Sequence, residues 1–278
     1  MQIEPSRPST SHYHASDGAA YERFLGRWTR ALARCVMDFA DFADDGPLLD
    51  IGTGTGSLAR AMAAARPSCK VVGIDVAEPY IAFARALRES PSERSAVEFV
   101  LGDATALPYA DGIFAGTAAQ LVLNFIPDPA AALMQMRRVT RCGGKVVAAV
   151  WDFRGGLVYQ RLFWDTAAGI DPGAGAARDR LFSTPLALPE GLPALFKDAG
   201  LQDVQRSSLT IRMDYADFDD YWQPLLGGQG PVGTYIAALD AGTRRHIERA
   251  VRSAYCSGAP DGQRSLTATA WAVRGTAP

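Results

Sequence analysis

With 278 residues, 48% of them hydrophobic and 21% charged, the chain has an ordinary globular composition, and its length suits one large domain or one domain with a sizeable insertion. A formal net charge of −2 gives no bulk electrostatic reason to bind nucleic acid or an anionic membrane. No apolar run is long enough to span a bilayer. The four cysteines, Cys35, Cys69, Cys142 and Cys256, form no CxxC pair and no Cys/His cluster with metal spacing, so no metal is expected.

Residues 1–18 are rich in Ser, Pro and Thr and lack the apolar segment of a secretory signal. They read as a mobile tail on a cytoplasmic protein, and the cysteines as small core residues of a reducing compartment. Residues 19–46 hold a leading helix: Tyr21, Phe24, Leu25, Trp28, Leu32, Cys35, Val36 and Phe39 recur at helical spacing, and Gly46-Pro47 closes it. Within 47–152, short apolar runs alternate with helical patterns. Strands are predicted at Leu48–Ile51, Lys70–Ile74, Val97–Leu101, Gly112–Ala118 and Lys145–Val150, with helices at Ser57–Ala65, Pro79–Glu89 and Ala130–Thr140. This alternation predicts an α/β fold, a parallel sheet with helices on both faces. In residues 153–278 the pattern changes. A helix over 157–170 is followed by a Gly/Ala-rich loop, then a helix at Leu192–Ala199 and a strand at Val204–Met213. Asp217–Gln223 and Thr234–Tyr255 read as helical, and Ser265–Arg274 as a last strand. The sheet is thus expected to be interrupted by a helical cap after the fifth strand.

The stretch PLLDIGTGTG sets Gly52, Gly54 and Gly56 at alternate positions between a strand and a helix. Glycine permits positive φ and lets a ligand approach the backbone, and the following helix offers its free N–H groups. A tight turn without a ligand is the bland alternative. The dinucleotide fingerprint GxGxxG would need its last glycine at Ser57. Asp50, two residues before the first glycine, would repel a pyrophosphate and would suit a ligand bringing an ammonium. Asp75 ends the next strand about 20 residues on, where an acid takes two ribose hydroxyls. Asp103 ends the third, placed to meet an adenine amino group. Singly, Asp75 or Asp103 could be a helix or turn cap; three acids at the ends of three consecutive strands point to a nucleoside-type ligand.

These residues resemble the class I S-adenosylmethionine-dependent methyltransferases. LLDIGTGTG is similar to the first motif of that family, GIDVAEPY to its acidic ribose motif, and VLGDATALPYADGIFAG to its adenine motif. AAQLVLNFIPDPAAALMQMRRVTRCGGKVVAAVWD resembles the section from strand four to strand five, and YERFLGRWTR the leading helix that lies over the cofactor. The likeness spans about Leu48–Asp152 and is nearest to small-molecule enzymes of the ubiquinone/menaquinone-biosynthesis type. It implies a Rossmann-like sheet of about seven strands, S-adenosylmethionine as cofactor, S-adenosylhomocysteine as product and a small-molecule acceptor. It further implies that Gly52, Thr53, Gly54 and Gly56 pass close to the methionine part, with Asp50 at its amino end. Asp75 would take the ribose, Val76 pack on adenine, Asp103 and Ala104 meet the adenine edge, and Gln120 and Leu121 lie beside the transferring methyl. Tyr21 and Trp28 are candidates to close over the cofactor, and Arg27 or Arg30 to reach its carboxylate. Where many relatives carry a His-His pair after strand four, this chain has Asn124-Phe125.

No general base is assigned. His12 and His14 fall in the expected tail and His246 in a late helix, while Asp152, Tyr159 and Asp165 open the cap. The cap aromatics, among them Phe163, Trp164, Tyr215, Tyr221 and Trp222, read first as its core. Two other functions fit part of the pattern. A non-catalytic cofactor-binding partner subunit would keep the same motifs, and a nicotinamide-dependent dehydrogenase would share the sheet but not the third glycine's position.

Overall fold

Leu48 and Leu49 are both fully buried yet belong to different cores, because successive residues of a strand face opposite sides of the sheet. A computed structural model describes residues 17–87 and 97–278. Its strands are β1 (Leu48–Ile51), β2 (Val71–Asp75), β3 (Val97–Leu101), β4 (Phe114–Gln120), β5 (Thr140–Trp151), β6 (Gln202–Tyr215) and β7 (Arg264–Thr276). They form one sheet in the order β3-β2-β1-β4-β5-β7-β6. β1 to β5 pair in parallel, and β7 runs antiparallel to both β5 and β6. The chain leaves β1 towards β2 and β3, then returns to β4 on β1's other side. A crevice therefore opens at the carboxyl ends of β1 and β4, where ligands of such sheets bind.

The leading segment comprises α1 (Gly18–Tyr21), a π-helical turn (Glu22–Gly26) and α2 (Arg27–Ala40). Asp17 starts it by accepting the Ala19 and Ala20 N–H groups, and Asp41 stops it in the left-handed region at φ 56°. Its buried face, Trp28, Leu32, Val36 and Met37, packs on the sheet face shared with α3 (Ser57–Ala65). The other face is covered by α5 (Pro129–Val139) and α8 (Gly191–Asp198). α4 (Glu78–Ala86) joins β2 to the segment before β3.

The bounds expected for β1, β3 and α3 coincide with those found, and the fourth strand lies two residues later than expected, at Phe114–Gln120. Three differences concern the cap. The expected Gly/Ala-rich loop is a helix, α7 (Pro172–Phe182), following α6 (Val158–Ala168). Asp171 caps it through the Gly173 N–H at 3.0 Å, Pro172 occupies its first turn, and Ala174 is buried in the core shared with α6. The single helix expected over 234–255 is two, α10 (Gly230–Ala237) and α11 (Ala241–Cys256), because the Asp240 side chain caps a new start. The helical layer also draws on two connections: α6 and α7 lie between β5 and β6, while α9 (Phe218–Trp222), α10 and α11 lie between β6 and β7. Of the cysteines expected in the core, Cys69 is buried, Cys35 and Cys256 are half-buried, and Cys142 is exposed. Most of the expected tail, with His12 and His14, and the end of the second predicted helix lie outside the described residues.

Candidate active site

The glycine turn follows β1 with all three glycines at positive φ: 64° at Gly52, 55° at Gly54 and 91° at Gly56. A side chain at Gly52 would meet Val122, and one at Gly56 would meet the Phe99 ring and Arg60. The turn is tied to β2 by Thr53 N–H to the Ile74 carbonyl (3.0 Å) and Gly54 N–H to Asp75 Oδ2 (2.8 Å).

Asp50 is fully enclosed on the sheet face covered by the leading helix. Its Oδ2 accepts from the Thr53 hydroxyl at 2.6 Å and the Ala59 N–H at 3.0 Å, while Oδ1 is buried with no hydrogen-bond partner. Burial pushes its pKa up to about 7, against the lowering effect of the Thr53 and Ala59 bonds and with a smaller raising effect from the nearby Asp75 charge. Across the crevice, Gln120 ends β4. Its Nε2 donates to the Thr29 carbonyl at 3.1 Å, and its Oε1 is likewise buried and unpartnered. Both residues line one cavity of about 30 Å³, together with Tyr21, Thr29, Thr55 and Ser57. Two buried acceptors without donors in one cavity call for a donor ligand.

Leu121 follows in the left-handed region at φ 62°, held there by its N–H bond to the Ala149 carbonyl at 2.7 Å. A branched residue at positive φ is strained, and such strain gathers at functional sites. It sets Val122 against Gly52.

Asp75 is half-buried at the end of β2. Its carboxylate accepts from the N–H groups of Gly54 and Ala77, each at 2.8 Å, and burial nevertheless raises its pKa. Val76 beside it is an exposed apolar side chain, 43% accessible. Asp103 is exposed on the next loop, where its Oδ1 accepts from the N–H and hydroxyl of Thr105, both at 2.8 Å; Ala104 is half-buried alongside. Asp75 and Asp103 thus do cap their turns, with side chains at one edge of the sheet.

The leading segment differs from the sequence reading. Tyr21 lines the cavity and packs on Tyr80 at 5.2 Å between centroids, and the Tyr80 hydroxyl donates to the buried Gln229 of the cap at 3.1 Å. Trp28 does not border the cavity: its ring packs on Tyr215, 5.5 Å away. Neither arginine reaches it. Arg30 pairs with Glu22, and Arg27 pairs with Asp220 at 3.0 Å and lies over the Trp28 ring. Glu22 is the residue that sequence reasoning missed. From the π turn it crosses to the glycine loop, where its Oε1 accepts from the Thr55 hydroxyl at 2.5 Å. Glu22 opens a π turn, a geometry often found at functional positions, and helical periodicity does not show which neighbour its carboxylate meets. Thr29 and Ser57, whose hydroxyls meet at 3.0 Å, were also missed.

Of the residues considered as a base, the described ones, Asp152, Tyr159, Asp165 and His246, do not border this cavity. Asp152 caps the turn at Arg154 and Gly155, Asp165 pairs with Arg161 and Arg178, and His246 is exposed. The cap aromatics pack on one another: Phe163 contacts Trp164, Trp222 and Tyr235 at 5.1–6.3 Å between centroids. Among the described residues, no group of three or more His, Cys, Asp or Glu is placed to hold a metal, and no helix is long and apolar enough to cross a membrane.

Comparison with known proteins agrees with this geometry. A methyltransferase-domain family model matches residues 49–148. The demethylmenaquinone methyltransferase of Roseiflexus sp. (strain RS-1) is 41% identical over 177 residues, 57% of this chain and 69% of that one. That of Thermus thermophilus is 37% identical over 143 residues, 49% of this chain and 61% of that one. The chain spans 36–61% of the length of the first three curated relatives it matches. Among solved structures, phosphoethanolamine N-methyltransferase 2 of Haemonchus contortus, in complex with phosphomonomethylethanolamine and S-adenosylhomocysteine, shares the fold. Its TM-score is 0.57 at 16% identity, over 94% of this chain and 57% of that one. The seven-stranded sheet with its antiparallel β7, the glycine turn and these relatives agree: the chain belongs to the class I S-adenosylmethionine-dependent methyltransferases.

Proposed function

We propose that this protein transfers a methyl group from S-adenosylmethionine to a small-molecule acceptor by in-line displacement. The observation that carries the reading is the pair of buried, unpartnered oxygens, Asp50 Oδ1 and Gln120 Oε1, in the cavity at the glycine turn. An ammonium group, such as that of the cofactor's methionine part, supplies the donors both lack. The remaining residues fit the same ligand: Asp75 as acceptor for the ribose hydroxyls, Val76 as a platform for adenine, and Asp103 with Ala104 at the adenine edge.

The bound sulfonium supplies an already activated methyl. The chain's task is to hold, align and exclude water, and alignment alone can be worth about 7–11 kcal/mol. Ionised Asp50 and the Gln120 amide oxygen fix the ammonium end, and Tyr21, Glu22 and Thr29 of the leading segment close over it. No base is assigned; a base is required only for an acceptor that is poorly nucleophilic as bound. The curated relatives named as demethylmenaquinone methyltransferases favour a ring-containing, largely apolar acceptor.

The test is methyl transfer from radiolabelled S-adenosylmethionine to a panel of aromatic and quinol acceptors, with Asp50→Asn and Gln120→Ala alongside. The reading expects transfer by the wild type and a loss of at least tenfold in each variant. A wild type that binds the cofactor but methylates nothing would favour a non-catalytic partner subunit instead.

A further inference from the structure

A second cavity, about 10 Å³, lies where the leading segment meets the cap, bordered by Phe24, Arg27, Tyr159, Tyr215, Tyr221 and Leu225. Its volume is about that of one water-sized oxygen. The same segment borders both cavities: Tyr21 and Thr29 face the glycine turn, while Phe24 and Arg27 face this one. The guanidinium of Arg27 is held on two sides, 4.2 Å from the Trp28 ring centroid and 5.3 Å from that of Tyr215. One terminal nitrogen donates to Asp220 Oδ1 at 3.0 Å, and Asp220 is itself fixed by the Ala216 N–H on Oδ2. The Nε of Arg27 is buried and has no acceptor. A guanidinium N–H is a strong donor, and leaving it buried and unmet is costly. The other ionisable side chains on the wall are phenols, and burial holds Tyr215 and Tyr221 well above the usual range, so both stay neutral.

The charge balance decides what oxygen fits. Asp220 already offsets the charge of Arg27, and its carboxylate repels a second carboxylate brought to the same guanidinium, even with the two side chains 39% and 30% exposed. A carbonyl or hydroxyl oxygen accepts the same hydrogen bond without that cost. Resting on the methyltransferase reading, we propose that this cavity receives an oxygen of the methyl acceptor, that Arg27 Nε donates to it, and that Asp220 makes the site select an uncharged oxygen over a carboxylate. The acceptor class is then a neutral molecule with a carbonyl or hydroxyl oxygen, and Arg27 and Asp220 are its specificity-determining residues.

The experiment uses acetophenone and benzoate, nearly isosteric and differing in charge, titrated at pH 7.5 by ligand-observed NMR into the full chain with and without S-adenosylhomocysteine. The wild type is expected to bind acetophenone at least tenfold more tightly than benzoate. Asp220→Asn, which keeps an oxygen for the Ala216 N–H, should bring the ratio to about one or invert it, and Arg27→Met should weaken acetophenone at least fivefold. Equal or tighter binding of benzoate to the wild type, a ratio unchanged in Asp220→Asn, or no binding of either probe overturns the proposal. Thermal midpoints of both variants with S-adenosylhomocysteine report whether they fold and hold the cofactor. Should that compound not bind even the wild type, the methyltransferase reading fails by itself, and the probe ratio measured without it still decides the role of Asp220.

Discussion

Asp50 and Gln120, at the carboxyl ends of adjacent strands β1 and β4, each present a buried oxygen without a donor to the same small cavity. From this relationship the pH behaviour of the site follows. Burial raises the Asp50 pKa to about 7, whereas an unfolded aspartate titrates near ~3.9. The folded form therefore keeps its proton longer than the unfolded one, and folding stability falls as pH rises from ~4 to ~7, with the full loss present above. Asp50→Asn removes this pH dependence. Its stabilising effect should be larger at pH 8 than at pH 5 by about 2.7 kcal/mol, at ~1.36 kcal/mol for each of the ~2 pH units between 5 and the folded pKa, read by urea unfolding at each pH.

Binding carries the opposite dependence. A cationic ligand group stabilises the ionised carboxylate, so the affinity for S-adenosylhomocysteine should rise between pH 6 and pH 8 in the wild type. In Asp50→Asn the affinity should be weaker and flat over that range. Calorimetric titration at several pH values checks both; an equal slope in the two proteins would place the ammonium elsewhere.

Gly52 is predicted to tolerate no side chain. Its φ of 64° and the Val122 side chain in the space a Cβ would take make Gly52→Ala cost about 1–3 kcal/mol from the backbone alone. The variant should show a lowered thermal midpoint and lose S-adenosylhomocysteine binding. Ser57→Ala, one helix start further on, should keep its midpoint within a few degrees.

The Glu22–Thr55 hydrogen bond should act as a clasp on cofactor entry. At about 30 Å³ the cavity under the leading segment is too small for an amino-acid moiety, so Tyr21, Glu22 and Thr29 must move aside before one enters. A hydrogen bond to a charged group is worth about 1.5–3 kcal/mol. Glu22→Ala should raise the association rate of S-adenosylhomocysteine roughly tenfold in stopped-flow fluorescence, and an unchanged rate would show that entry does not pass under this segment.

Much of the sheet was legible in the sequence because its strands are short apolar runs closed by glycine or proline, as β1 is by Pro47 and Gly52. The three acids at the strand ends were legible by position alone. The direction of Arg27 was not, since helical spacing gives a residue its angle on the helix but not the neighbour that claims it, here Asp220 from the β6–β7 connection. Glu22 escaped for a related reason: helical spacing does not show that its carboxylate meets the Thr55 hydroxyl. α7 was hidden by its Gly and Ala content, yet Asp171-Pro172 at its start was a readable helix signal. The two-part origin of the cap depends on packing between segments some sixty residues apart, as in the Tyr221 hydroxyl bond to the Tyr159 carbonyl, and no local pattern encodes it.

The most direct test of the central claim is thermal unfolding of wild type and Asp75→Ala with S-adenosylmethionine, S-adenosylhomocysteine, NAD or no ligand. At a hundred times its dissociation constant a ligand stabilises the fold by about 2.7 kcal/mol. The account predicts that both adenosyl compounds raise the wild-type midpoint, that NAD does not, and that Asp75→Ala loses the shift. A midpoint raised by NAD alone, or an adenosyl-dependent shift that survives Asp75→Ala undiminished, would contradict it.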